Sequence, residues 1–542
     1  MLQLYTEDTY EIEGEPLFGY LRGKFTAQEL SLIDDYAFDL GIEVIPCIQT
    51  LGHMGQVLQW QHYAYLRDNM EVLLPESEAT YEFIEKMIRA ISRPFRSKRI
   101  HIGMDEAHGV GEGRYQQIYG YGKDSTQIFL EHLQKVNEIC QRNDLEPMIW
   151  SDTVKNNSLL GYYDESNNPA TQELVVNSLP QNIKLIFWDY YHTTSDIYLQ
   201  KIQQHRQMGC QDPWVATSAW TWTRFWTALP FTYEAVKASI VASKNKNEGV
   251  RNTFITTWGD EGNECDLLSS LPALFYFAQH GYTEFEEVDI QLLKRNFEAI
   301  CGASFDDWTL ASKIDDIPER IPITPRSNFA NNMSKWLLWE DPFLSFLSPQ
   351  YIDEDLENHY ASIEQYLSKA TSKEKTIFNF PLNERLEFPR RIAKVLSLKC
   401  HFRKHCVAAY KAKDYHTLLA LAHGRLTALR QEVDALWRCH RAMWMKTFKP
   451  FGWEIVENRY GGLRARLETM FDQIVAHVEY KMKKQKMQLR GNILKDDKEE
   501  EDDDDIHERI PEFEVELECL YYGAKTNLLL DHARVVSTSR LG

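Results

Sequence analysis

The sequence predicts an α/β fold, namely a TIM-type (β/α) barrel lacking its first strand and helix, followed by an α-helical C-terminal domain. Three observations carry this. Seven short apolar runs each end in polar residues, amphipathic helical patterns lie between them, and past about residue 310 the periodicity becomes wholly helical. A chain of 542 residues also exceeds what one core supports, so more than one structural unit is expected.

In order, the runs are LQLYTED (2–8), IEVIPCIQT (42–50), KRIHIGMDE (98–106), EPMIWSD (146–152), IKLIFWDYY (183–191), PWVATSAW (213–220) and NTFITTWGD (252–260). Nearly continuous apolar character reads as strands buried on both faces. Between them, TAQELSLIDDYAFDLG, SEATYEFIEKMIRAI and STQIFLEHLQKVNEICQRN read as helices, with Thr or Ser near the start and Gly or Asn near the end. This alternation implies parallel βαβ units, and the polar residues gather at the carboxyl ends of the strands, where (β/α) barrels build their sites. The count is seven rather than eight, with Leu2 already inside a strand. An opening βα unit is therefore expected to be missing and the barrel seam to be open or compensated. Two exposed strand edges would invite subunit pairing, so a homodimer is a further expectation.

The barrel is assigned to residues 1–309 and a helical domain to 310–492, carried by patterns such as HTLLALAHGRLTALRQEVDALWRCHRAMWMKTF. Residues 493–508 form an acidic linker in which DDKEEEDDDDIHE packs repelling charges. A short β segment is assigned to 509–542, where FEVELECLYY and ARVVSTS alternate as two strands.

The net charge of −20, from 80 acidic and 60 basic residues, with no broad basic stripe, argues against a nucleic-acid partner. Basic KMKKQKM (481–487) reads as a solvated helix end. Nine Cys without C-x-x-C pairs read as reduced, buried thiols. No apolar run reaches membrane-spanning length, and the first residues lack the pattern of a secretory signal. The expectation is a cytoplasmic protein with no membrane partner.

The chemistry centres on HIGMDEAH (101–108), where a strand ends in adjacent carboxylates, Asp105 and Glu106. Their side chains leave the backbone in different directions, so one can reach a glycosidic oxygen while the other lies beneath the sugar ring. Glycoside hydrolysis needs an acid for the leaving oxygen and a group that stabilises charge at the anomeric carbon. Two close carboxyls also titrate as a pair, one staying protonated. Taken alone, an Asp-Glu dipeptide is better explained as a helix N-cap followed by its first-turn acid. His101 and His108 flank the pair without a third ligand at metal spacing, so neither metal nor cofactor is implied.

The string GMDE after an apolar strand resembles the Asp-Glu signature of glycoside hydrolase family 20. QTLGHM, IWSD, WDYYH, AWTW, ITTWGDEGNEC and NRYGGLRARL together resemble its hexosaminidase D-like branch, over almost the whole chain from the second barrel strand. The resemblance implies a retaining, exo-acting β-N-acetylhexosaminidase acting on glycans with a terminal β-linked N-acetylhexosamine. In that family the substrate's own 2-acetamido oxygen is the nucleophile and an oxazolinium intermediate forms. It implies that Glu106 is general acid and then base, and that Asp105 holds the acetamido N–H. A tyrosine would grip the acetamido carbonyl: Tyr190 first, Tyr191 second. Trp150, Trp220 and Trp258 end strand runs and would wall the sugar, Trp258 and Trp220 foremost, while each reads equally as a core aromatic. By resemblance Asp260 binds non-reducing-end hydroxyls. Glu7 and Asp8 resemble sugar-hydroxyl ligands or are exposed loop charges. Asp152 orders the site or caps the next helix. His53 matches a family histidine near the catalytic Asp, with a structural histidine as the competing reading.

One departure from the family pattern is the first barrel strand, which brings further sugar contacts there. A catalytically impaired carbohydrate-binding protein is therefore the competing function. A third reading is a glycosidase with two protein carboxylates about 5 Å apart.

Overall fold

The computed structural model describes residues 1–151, 176–260, 263–316, 332–372, 381–491 and 507–520. All seven apolar runs form strands: β1 (Leu2–Tyr5), β2 (Val44–Cys47), β3 (Arg99–His101), β4 (Glu146–Trp150), β5 (Lys184–Trp188), β6 (Trp214–Ala219) and β7 (Asn252–Thr257). They join in sequence order into one sheet that curls into a half-barrel, with parallel pairing throughout β1 to β6. The order runs from β1 to β7, and among the described residues no strand stands between those two ends. Burial follows from this. Every residue of β2 and β6 is buried, whereas β1 and β7, each with one neighbour, are half-exposed.

Helices α1 (Ala27–Asp39), α2 (Glu78–Ser92), α3 (Ser125–Arg142) and α4 (Ser195–Gln207) lie between strands, as expected. Thr26 and Glu29 close a reciprocal capping box on α1. The cap of α3 falls on Asp124, whose carboxylate accepts the Gln127 N–H, and Ser125 is already helical. On α2 the apolar residues recur at helical spacing, burying Phe83, Ile84, Met87, Ile88 and Ile91 against the sheet core.

Two compact units are distinguished: Met1–Ser218 with Ala235–Thr256, and Ala219–Glu234 with Thr257–Gly542. In the second, α5 (Leu356–Thr371), α6 (Glu387–Lys399), α7 (Thr427–Thr447) and α8 (Trp453–Gly491) pack in succession. Its interior also holds ion pairs. Glu264 meets Lys335 at 2.9 Å and Arg459 at 2.8 Å, and Asp266 takes a two-pronged contact from Arg385 with both distances 2.7 Å. Glu264 belongs to ITTWGDEGNEC and Arg459 to NRYGGLRARL, so residues of two sequence motifs are joined by a buried ion pair.

The C-terminal ribbon is corrected in its first part. Instead of a strand, the described part of this segment carries a helical turn, Pro511–Glu514, which runs into FEVELECLYY, and a tighter turn, Glu518–Leu520. Pro511 sits in the first turn, where its missing N–H costs nothing, and Phe513 is buried against Phe343 and Tyr410. The second expected strand, ARVVSTS, and most of the acidic linker lie outside the described residues. No described helix is long and apolar enough to cross a membrane.

Phe83 fills the space between Phe18 and Tyr63, with ring centroids 6.2 and 5.4 Å away. Phe83→Ala is expected to cost about 3–5 kcal/mol, read as a lower urea midpoint.

Candidate active site

The register decides which residues meet. Tyr5 pairs with Cys47 and Cys47 with His101, so two residues further on Glu7, Gln49 and Gly103 come level on adjacent strands. The ladder continues past the strand ends through Thr6 N–H to Cys47 O (2.7 Å), Ile48 N–H to His101 O (2.8 Å) and Trp150 N–H to Gly103 O (3.2 Å).

The third strand stops at His101 rather than running to the carboxylates. Gly103 and Met104 turn left-handed, at φ 69° and 71°, and Glu106 follows at 46°. Left-handed backbone costs a non-glycine residue roughly 1–2 kcal/mol, and such positions gather where geometry is fixed for function. His53, at φ 53°, is a further case. Gly103 also lacks room for a Cβ, which would collide with the Gln49 side-chain oxygen and the Ile48 carbonyl.

This turn presents Asp105 and Glu106 differently. The Asp105 side chain is 15% exposed and that of Glu106 47%. His53 stands beside both, its Nε2 3.2 Å from Asp105 Oδ2 and 3.5 Å from Glu106 Oε2. Gln49 donates through Nε2 to Asp105 Oδ1 at 2.8 Å. Tyr5 donates to Glu7 Oε1 at 3.1 Å and accepts from Gln49 at 3.2 Å.

Electrostatics follow from this packing. Burial opposes a charge on His53, but the hydrogen bond and charge of Asp105, reinforced by Glu106 and Glu7, push it up to about 9. Burial likewise works against an ionised Asp105. The His53 contact and the Gln49 amide outweigh it and hold the carboxyl below the usual carboxylate range. Burial raises Glu7, partly offset by His53. His101, wholly buried, is driven down to about 3 by desolvation, and its Nδ1 accepts the Gly103 N–H at 3.0 Å. The site thus pairs an imidazolium with an ionised aspartate, beside a more accessible glutamate.

Of the other expected residues, Tyr190 is nearly buried at the end of β5, stacked on Trp188 (5.0 Å, 24°) and next to Tyr191 (6.0 Å). The buried Asp189 holds that turn, accepting from Tyr191 N–H at 2.9 Å and facing His192 Nδ1 at 2.7 Å. Asp8 is not an exposed loop charge: it is buried and pairs with Arg22 at 3.1 Å. Trp150 is buried among barrel-interior rings, 4.5 Å from His101 and 6.0 Å from Phe254. In the second unit, Trp220 is buried and stacks on Trp222 (4.3 Å, 21°). Trp258 is half-buried, its carbonyl accepting from Thr221 Oγ1 at 2.6 Å, and Asp260 is exposed. Asp152 lies outside the described residues.

Gln49 and Tyr5 were not singled out from the sequence. The available signal was position, since Gln49 ends a strand run as His53 follows one.

A model described as the catalytic domain of glycosyl hydrolase family 20 matches residues 6–210, and one described as the glycoside hydrolase 20C C-terminal domain matches 306–503. Hexosaminidase D of Homo sapiens is 24% identical over 286 residues, covering 48% of this chain and 56% of that protein. Hexosaminidase D of Bos taurus is 24% identical over 224 residues, covering 39% and 60%. Both matches span less than two thirds of the relative. Among solved structures, a β-N-acetylhexosaminidase from Bacteroides fragilis is similar at 17% identity, covering 55% of this chain and 63% of that one, with a TM-score of 0.40. An O-GlcNAc hydrolase mutant from Thermobaculum terrenum is similar at 12% identity, covering 89% and 90%, also at 0.40.

His53 should titrate near 9 by NMR, and a midpoint at or below 6.5 would contradict the geometry. Because the folded value lies above the ordinary one, the stabilisation is complete below about pH 6.5 and is lost as pH rises through about 9. Asp105→Asn should move the His53 midpoint down.

Proposed function

Because the chain belongs to glycoside hydrolase family 20, we propose that it is an exo-acting, retaining β-N-acetylhexosaminidase that removes terminal N-acetylglucosamine or N-acetylgalactosamine. The observation that carries this reading is the Asp105–Glu106 pair at a strand end, one carboxylate clamped by His53 and the other accessible.

In the proposed reaction the acetamido oxygen of the substrate attacks the anomeric carbon as the glycosidic bond breaks. Glu106 gives its proton to the departing oxygen. The ionised Asp105 accepts the acetamido N–H and stabilises the oxazolinium ion. Water then opens this ion, giving its proton to Glu106, and the β configuration is restored. Tyr190 is the proposed donor to the acetamido carbonyl, with Tyr191 second. The sugar contacts assigned to Trp220, Trp258 and Asp260 rest on the sequence resemblance. A cytoplasmic setting belongs to the same reading, supported by the buried free thiols Cys47, Cys140, Cys265, Cys400 and Cys406. The half-exposed edges β1 and β7 support subunit pairing.

Nitrophenyl β-N-acetylglucosaminide and β-N-acetylgalactosaminide, assayed side by side, should release nitrophenol, and the corresponding glucoside, which lacks the acetamido group, should not. Glu106→Gln is expected to lower kcat about 10²–10⁴-fold. Wild-type turnover by that variant would remove Glu106 from the reaction. Sugar binding without turnover by the unaltered chain would select a carbohydrate-binding protein instead.

A further inference from the structure

A wholly buried primary amide must satisfy two N–H donors and a carbonyl, so the partners of Gln49 are informative. Its Oε1 accepts the Met104 N–H at 3.2 Å, while Nε2 donates to Asp105 Oδ1 at 2.8 Å and to the Tyr5 hydroxyl at 3.2 Å. The reversed amide would set its NH₂ against an N–H and its carbonyl against a carboxylate, so the network admits one orientation.

Two consequences follow. A single side chain holds both the left-handed Met104 peptide and the carboxylate that this peptide presents. The two Asp105 oxygens are also divided: Oδ2 faces the charged His53, whereas Oδ1 faces a neutral donor that adds no charge. His53 supplies electrostatic stabilisation, and Gln49 supplies direction. Gly103 is the residue that leaves space for this amide. Through Tyr5 the same network reaches Glu7, at the end of β1.

We propose that Gln49 is a positioning residue that fixes the orientation of the Asp105 carboxylate and ties it through Tyr5 to Glu7. The inference rests on the reading in which Asp105 acts on the sugar's acetamido group.

The test uses the full chain with Gln49→Met, which keeps the approximate volume and removes the donors, and Gln49→Glu, which keeps the shape. In Gln49→Met the Asp105 carboxyl carbon should titrate at higher pH by NMR, and kcat should fall about tenfold or more, the size expected for one lost hydrogen bond to a charged group. In Gln49→Glu the ionised side chain repels Asp105 near neutrality. On acidification it regains a proton to donate to Oδ1, so its activity optimum should move to lower pH than in the wild type. That acid rescue is a signature a purely structural role would not give, and this variant keeps the test available should Gln49→Met fail to fold. An unchanged Asp105 titration in Gln49→Met, or a Gln49→Glu pH profile that superimposes on the wild type, would overturn the proposal. Should the unaltered chain hydrolyse no hexosaminide, the Asp105 titration decides alone: an upward shift upholds the role of Gln49 and removes only the enzymatic reading.

Discussion

The site depends on one shared interaction, the carboxylate of Asp105 held between the His53 imidazolium and the Gln49 amide. A largely buried carboxylate is costly without partners, and here each oxygen has its own. The left-handed residues at 53, 104 and 106 give the same message from the backbone side. An ordinary strand continuation would keep Asp105 in the alternating in-and-out pattern of the sheet. The turn at Gly103 and Met104 departs from that pattern and leaves Asp105 and Glu106 unequally exposed, as the roles proposed for them need.

The scaffold supplies this by register rather than by proximity in sequence. Parallel pairing brings residues 7, 49 and 103 level across three strands, so groups separated by more than forty positions converge at one end of the sheet. Every residue of β2 is buried, so a slip of one residue would exchange the side chains packed on its two faces and disturb both. Both edges of the sheet, β1 and β7, pack less completely, and β1 is also the strand that brings Tyr5 and Glu7.

Much of this was legible beforehand. Short, nearly continuous apolar runs located all seven strands, and the adjacent acids at 105 and 106 stand out in the sequence as the seat of the proposed chemistry. Strand ends were less legible: the third strand spans only Arg99–His101, its hydrogen bonds run on to Gly103, and there the backbone turns left-handed, which apolar content does not encode. Gln49, a neutral amide, carries no chemical signature until its neighbours across the sheet are known. Asp8 misled in one of its two readings because its partner, Arg22, lies fourteen positions away on an irregular segment. The segment around Phe513 alternated like a strand, yet Pro511 and one buried aromatic anchor made it a helical turn. Periodicity over so few residues does not separate the two.

A crystal structure of the full chain with a thiazoline analogue of the oxazolinium ion tests the central claim most directly. The account predicts the analogue's ring nitrogen within hydrogen-bonding distance of Asp105, the latter still held by Gln49 and His53, with Glu106 beside the anomeric carbon. An analogue bound away from both carboxylates, or one that displaces Asp105 from His53, would contradict it.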